Sequence, residues 1–387
     1  MSRLYSESEF GELSFMISGA AILAILLTSR LELAFYNMRL MGEKVALLKT
    51  VLITSTIITL VAYLLVAIFD DTILSLTEQE VSLNTLLFIP VAALLLAWYN
   101  IYSNYAISSK QFKAVAKTKV YRSFAQSVSQ ILLSPFNSGL TFGELFSRFF
   151  GIYSLHKWTQ KQAIKNKLTY RKVAYIINRN VNFIKWSGLS GLFNTATLQA
   201  PSIIIASLYD LKAAGLYYMT HRIVFLPSAL LGQSLAQVYA SEFATAQQPA
   251  QIKLFNKVCN KGFLIGCLGF LPLAAFSQYF IGFILGDKWS QVSEFIVLLT
   301  PMLIFQFAVS PISNTLNMLH KQVYMLVWDI TRFATLGVVT YVSVYLNLSI
   351  KDFLLLYSLL QVVCYVALWL TTRRVLLVRK DNGKPFN

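Results

Sequence analysis

Eleven apolar stretches, each close to the length that crosses a bilayer, follow one another along the chain with little between them. They run roughly 12–36, 46–69, 83–107, 120–136, 140–156, 186–208, 213–240, 262–285, 294–318, 323–346 and 352–372. A backbone in hydrocarbon must satisfy its N–H and C=O groups internally, which leaves helices or a closed barrel. Near-continuous Leu, Ile, Val, Phe and Ala, without the alternation of a barrel strand, select helices. The predicted fold class is therefore all-α and polytopic. An apolar content of 56% over 387 residues excludes an ordinary soluble domain. The fourth and fifth stretches, VYRSFAQSVSQILLSPF and LTFGELFSRFFGIYSLH, are short and polar, and are expected to pack inside the bundle with little exposure to lipid. The first stretch is too long, and lacks the basic leader, for a cleavable signal peptide.

The positions of the cations decide what a net charge of +16 means. One alternating set of connections (37–49, 107–122, 157–185, 241–261, 319–322 and the tail after 372) holds 25 Lys and Arg. The other set (1–11, 70–82, 137–139, 209–212, 286–293 and 347–351) holds only Arg3, Lys212, Lys288 and Lys351. This is the positive-inside pattern of a multi-pass protein, and no nucleic-acid partner is implied. It predicts an amino terminus outside and a carboxyl terminus in the cytoplasm. Asp70, Asp71, Glu78 and Glu80 crowd one outer connection and read as a solvated acidic rim, the rival being a metal-binding pair of a membrane glycosyltransferase. Cys259, Cys267 and Cys364 lack ligand-like spacing and read as small buried hydrophobes, so no disulfide, metal or cofactor is expected.

Four of the 33 cations fall inside the apolar stretches: Arg30, Arg148, Arg222 and Arg332. Glu144 and Arg148, four apart, and Asp329 and Arg332, three apart, can each meet on one helix face as a structural bridge. Arg30 and Glu32, two apart, point away from each other, so Arg30 snorkels, pairs elsewhere or lines a cavity. Arg222 has no acid near it in sequence. It sits in Tyr209–Ser241, YDLKAAGLYYMTHRIVFLPSALLGQSLAQVYAS, where Tyr218, Arg222, Gln233 and Gln237 share one stripe of an otherwise apolar helix. A cation at mid-bilayer costs several kcal/mol, so this stripe is expected to line an aqueous cavity. Pairing with Glu32 or Glu144 from another helix is the alternative. Pro227 removes one ladder hydrogen bond and is the candidate hinge. His221, about 100° around the helix from Arg222, reads as a packed residue.

The basic, partly amphipathic segment 157–185 divides the chain into a lobe over 1–156 and a lobe over 186–387, with five and six helices. It is expected to lie on the anionic inner leaflet. Trp98, Trp158, Trp186, Trp289 and Trp369 fit an interfacial belt, and seven of nine prolines lie in or beside spans, as in transporters with broken helices.

Four patches in order carry a family resemblance: SRLYSESEFGELSF near the start, RLELAF at 30–35, GLYYMTHRIVFLPSALLGQSLAQVYASEFA at 215–244 and GDKWSQVSEFIVLLTPMLIFQFAVSPISNTLNML at 286–319. The chain resembles the oligosaccharide-lipid flippases of O-antigen, capsule or teichoic-acid export, relatives of the multidrug and toxin extrusion proteins. That resemblance implies two six-helix lobes around a central cavity in the bacterial cytoplasmic membrane. The family's first helix has no counterpart here, because the chain begins where the first outer turn would be. The implied activity is non-enzymatic: translocation of a polyprenyl-diphosphate-linked glycan by alternating access. Arg222, Arg30, Arg148, Arg332, Tyr218 and Gln233 would contact substrate, and Glu32, Glu144 or Asp329 would carry a coupling ion. Rival readings are a drug or ion antiporter of the same superfamily, a polysaccharide polymerase or glycosyltransferase, and a scaffold recruiting polysaccharide assembly proteins through 157–185.

Overall fold

A capping box starts the first helix: the Ser6 amide donates to Glu9 Oε2 at 2.8 Å, while Ser6 Oγ accepts from the Glu9 amide at 3.3 Å. Ser29 and Arg30, at φ 47° and 57°, end that helix in the left-handed region. These coordinates belong to a computed structural model that describes residues 1–38, 40–69, 81–136, 138–163, 170–181, 184–319 and 321–378. Among the described residues there are helices and no strand. The acidic cluster at 70–80 and the end of the tail lie outside them, as do the side chains of Trp158 and Pro227.

The helices are α1 Glu7–Thr28, α2 Met41–Ile68, α3 Leu83–Ser108, α4 Phe112–Leu132, α5 Gly139–Ala163, α6 Tyr170–Arg179, α7 Leu189–Leu208 and α8 Leu211–Thr245. They continue as α9 Gln248–Leu285, α10 Val292–Val309, α11 Gln322–Tyr345 and α12 Ile350–Val378. Apart from α6, each coincides with one expected span. Seven helical stretches are long and apolar enough to cross a membrane among the described residues. α2 and α9 present Ile57, Leu60, Leu64, Leu264, Leu268 and Phe283 outward. Such faces are stable only in hydrocarbon.

By packing, the chain forms two compact units, Met1–Gly215 and Leu216–Asn387. In the first, α1 packs on α3 and α7, and α4 on α5. Its division from the second unit falls inside α8, whereas charge and length divide the chain at 157–185. Glycine allows α1 and the start of α8 to touch: a Cβ on Gly11 would lie 1.9 Å from the Leu211 carbonyl oxygen, and one on Gly215 would lie 1.8 Å from that of Glu7. The basic segment contributes α6, whose Ile176 is buried in a cluster with Leu47 and Leu48 of α2, while Arg179 bonds Glu43 at 2.8 Å. At Ile176 the segment thus rests on protein.

The expectation that α4 and α5 are shielded from lipid is corrected. Their polar residues face each other: Thr118 bonds Ser154 at 3.0 Å, and Ser129 Oγ donates to the Gly143 carbonyl at 3.2 Å. Their aromatic side is therefore turned out, leaving Phe124, Phe146, Phe149 and Tyr153 exposed. In the second unit α10 is the central element, buried along most of its length and packed on α9 and α12. There Ser358 Oγ accepts from the Met302 amide at 3.2 Å. Pro301, just before it, is proline and leaves its own turn without a donor.

Candidate functional site

The four arginines singled out by sequence have four different environments. Arg148 is buried on α5, and its Nε donates to Glu144 Oε1 at 2.8 Å, as the four-residue spacing anticipates. The same oxygen accepts from Arg122 Nη2 at 3.1 Å, and Glu144 Oε2 accepts from Gln126. Arg122 also lies over the Tyr99 ring, 5.1 Å from its centroid. The loop count groups Arg122 with surface cations, but it lies well inside α4. Two guanidiniums thus converge on one carboxylate inside the first unit.

Arg30 is half-buried at the end of α1, its Nε 2.2 Å from where a Cβ of Gly191 would stand. Gly191 of α7 makes the room that the guanidinium occupies. Glu32, in the short 3₁₀ turn Leu31–Asn37, is buried, and its Oε2 has no hydrogen-bond partner among the described residues. Arg332 is buried on α11, its Nε donating to Gln361 Oε1 at 3.1 Å. Its guanidinium carbon lies 4.5 Å from the Trp328 ring centroid and 5.2 Å from that of Tyr365. Asp329, one turn earlier, is also buried. A planar cation between aromatic faces and an amide is held in place; α12 supplies two of these partners, and spacing along α11 alone reveals neither.

Arg222 differs from the other three. It is exposed, on an α8 that runs unbroken over 35 residues, and among the described residues it makes no ion pair or hydrogen bond. Tyr218, one turn before it, is half-buried, and Gln233 and Gln237 are exposed. His221 stacks on Phe225 with ring centroids 4.0 Å apart, as a packed residue would. Gln233 enters a cavity of about 230 Å³ between α8 and α10. Gln306, Ser228 and Ser310 also line it, giving amides and hydroxyls suited to sugar hydroxyls. Sequence reasoning missed Gln306; the signal was a lone amide on a strongly apolar helix.

Within either unit the candidate residues do not gather into one constellation. Glu144 and Arg148 meet, Arg30 and Glu32 share a turn, and Asp329 and Arg332 share a helix face. Arg222 stands about 16 Å along α8 from the Gln233 pocket, eleven residues at about 1.5 Å each.

The family described as polysaccharide biosynthesis protein matches residues 1–294. The chain belongs to that family. No curated protein matches it. Among solved structures, the lipid II flippase MurJ in an inward closed conformation is similar with a TM-score of 0.70 at 15% identity, covering 96% of this chain and 88% of that one. A multidrug resistance MATE family transporter in an inward-facing conformation is similar with a TM-score of 0.64 at 14% identity, covering 99% and 96%. A transporter of the same superfamily from Pyrococcus furiosus, whose binding pocket is described as of reverse polarity, gives 0.52 at 15% identity, covering 97% and 89%. At these identities the likeness is one of fold: the family member has the helical-bundle fold of that transporter superfamily.

Proposed function

We propose that this member of the polysaccharide biosynthesis family is a flippase that moves a polyprenyl-diphosphate-linked oligosaccharide across the bacterial cytoplasmic membrane. The observation that carries the reading is Arg222: an exposed guanidinium without an ion pair among the described residues, about three turns into a long apolar helix. The diphosphate is the part of such a substrate that cannot enter hydrocarbon, and a guanidinium offers it charge and paired donors. The glycan hydroxyls find acceptors and donors at Gln233, Gln306 and Ser228, while the polyprenyl tail stays in lipid. Alternating access then exposes the headgroup path to one leaflet at a time. Arg332, in the same unit as Arg222, adds to the positive potential there. Glu32, whose orphan oxygen marks a buried carboxyl able to take a proton, is the coupling residue this reading favours. Glu144 is committed to two arginines. The amino terminus faces outward and the carboxyl terminus the cytoplasm, in keeping with the loop charges.

The test is reconstitution of the purified chain into vesicles holding a fluorescent lipid-linked oligosaccharide. Transbilayer movement with the glycan chemically unchanged is expected. Elongated or hydrolysed glycan, or no movement above protein-free vesicles, contradicts the reading.

A further inference from the structure

Each unit carries one more feature of the same design. In the first, α4 and α5 run antiparallel and enclose an outward-facing groove of about 1230 Å³ walled by Tyr121, Phe124, Phe146 and Phe149. Lys117, near the start of α4, and Lys157, near the end of α5, both line it. The Thr118–Ser154 hydrogen bond holds those two ends side by side, so both cations stand at one mouth. In the second unit, α11 and α12 enclose a groove of about 800 Å³ lined by Tyr324, Trp328 and Thr371. Lys321, at the start of α11, and Arg374, near the end of α12, line that one. All four cations are exposed, and none makes an ion pair among the described residues.

The mouths lie at the ends joined by the cation-rich set of connections, the side expected to face the anionic inner leaflet, although 319–322 itself supplies only Lys321. From Lys117 to Leu132, the last residue of α4, is about 22 Å, and from Lys321 to Thr331 about 15 Å, at about 1.5 Å per residue. One leaflet of hydrocarbon is about 15 Å deep, half of a core of about 30 Å. Grooves at least one leaflet deep, with aromatic residues in their walls and two cations at each mouth, complement a lipid with acyl chains below and a phosphate above. We propose that each groove is a docking site for an anionic phospholipid of the inner leaflet, its phosphate between Lys117 and Lys157 in one unit and between Lys321 and Arg374 in the other. Two matched sites in one chain fit a lipid abundant in the membrane better than a single transported molecule. The proposal therefore stands whatever the protein carries.

The test uses the full chain in nanodiscs containing a phosphatidylglycerol with a photoactivatable diazirine on its acyl chain, with adducts mapped by mass spectrometry. Adducts are expected to concentrate in the two grooves over the equally exposed α2 and α9, and to fall on the order of tenfold there when a phosphatidylcholine analogue replaces the probe. Lys117→Gln with Lys157→Gln should empty the first groove and spare the second. Lys321→Gln with Arg374→Gln should do the reverse, so each variant controls the folding of the other. Labelling in proportion to exposure, or equal labelling by both headgroups, overturns the proposal. So does displacement of the probe from both grooves by polyprenyl diphosphate, which would assign them to the transported lipid.

Discussion

Arg148 and Arg122, from neighbouring helices, share a single carboxylate oxygen of Glu144, at 2.8 and 3.1 Å. Glu144 is the only acid of that cluster among the described residues, so it holds two cations in place at once. Removing it takes from the buried Arg148 guanidinium the carboxylate it bonds, and breaking a buried pair in this way typically costs about 3–5 kcal/mol. Glu144→Gln is expected to lower the unfolding temperature of the purified protein markedly. Arg122→Gln, at the more exposed partner, should lower it little. Equal effects would mean that the cluster is not organised around Glu144.

The Arg332 cradle makes a similar expectation with a different partner. Gln361→Leu leaves the buried guanidinium Nε without its acceptor, costing about 1–3 kcal/mol or more. Trp328→Phe keeps an aromatic face and should cost less. Denaturant or thermal unfolding of the two variants checks the order, and a Trp328→Phe loss exceeding that of Gln361→Leu contradicts it.

Contact between α1 and the start of α8 depends on two missing methyl groups. Gly11→Ala and Gly215→Ala place a Cβ against backbone oxygens that cannot swing aside, so each is expected to destabilise the first unit by about 1–3 kcal/mol or more. Gly269→Ala on α9 and Gly337→Ala on α11 meet open space, and should be neutral or stabilising by up to about 1 kcal/mol. Expression and melting of the four variants read the contrast directly.

The amide pocket gives an expectation about affinity rather than stability. Replacing Gln306 with Leu removes hydrogen-bonding groups worth about 0.5–1.5 kcal/mol each. It should raise the glycan concentration for half-maximal transport several-fold with little change in melting. An unchanged concentration dependence would take Gln306 out of substrate recognition.

Much of the fold could be read in the chain because the bilayer imposes length and satisfaction rules that a sequence displays openly. The long helices fall where the apolar stretches do, and the Glu144–Arg148 bridge follows from helical spacing. The remainder depended on which helices become neighbours. Arg122 read as an interfacial cation until α5 brought Glu144 beside it. Gln361 and Tyr365 are invisible from α11, on which Arg332 sits. Polar residues of α4 and α5 suggested burial of the whole pair, yet they satisfy one another across a narrow seam and push the aromatic residues outward. The packing boundary inside α8 likewise rests on Gly11 and Gly215, whose close contacts leave no mark on hydropathy or charge.

The central claim is that Arg222 meets the anionic headgroup of the transported lipid, and its most direct test is transport by Arg222 variants in vesicles holding a fluorescent polyprenyl-diphosphate oligosaccharide. Arg222→Ala is expected to abolish movement while inserting and melting as the parent chain does, and Arg222→Lys, which keeps the charge but loses the planar pair of donors, is expected to retain part of it. Full transport by Arg222→Ala would contradict the account.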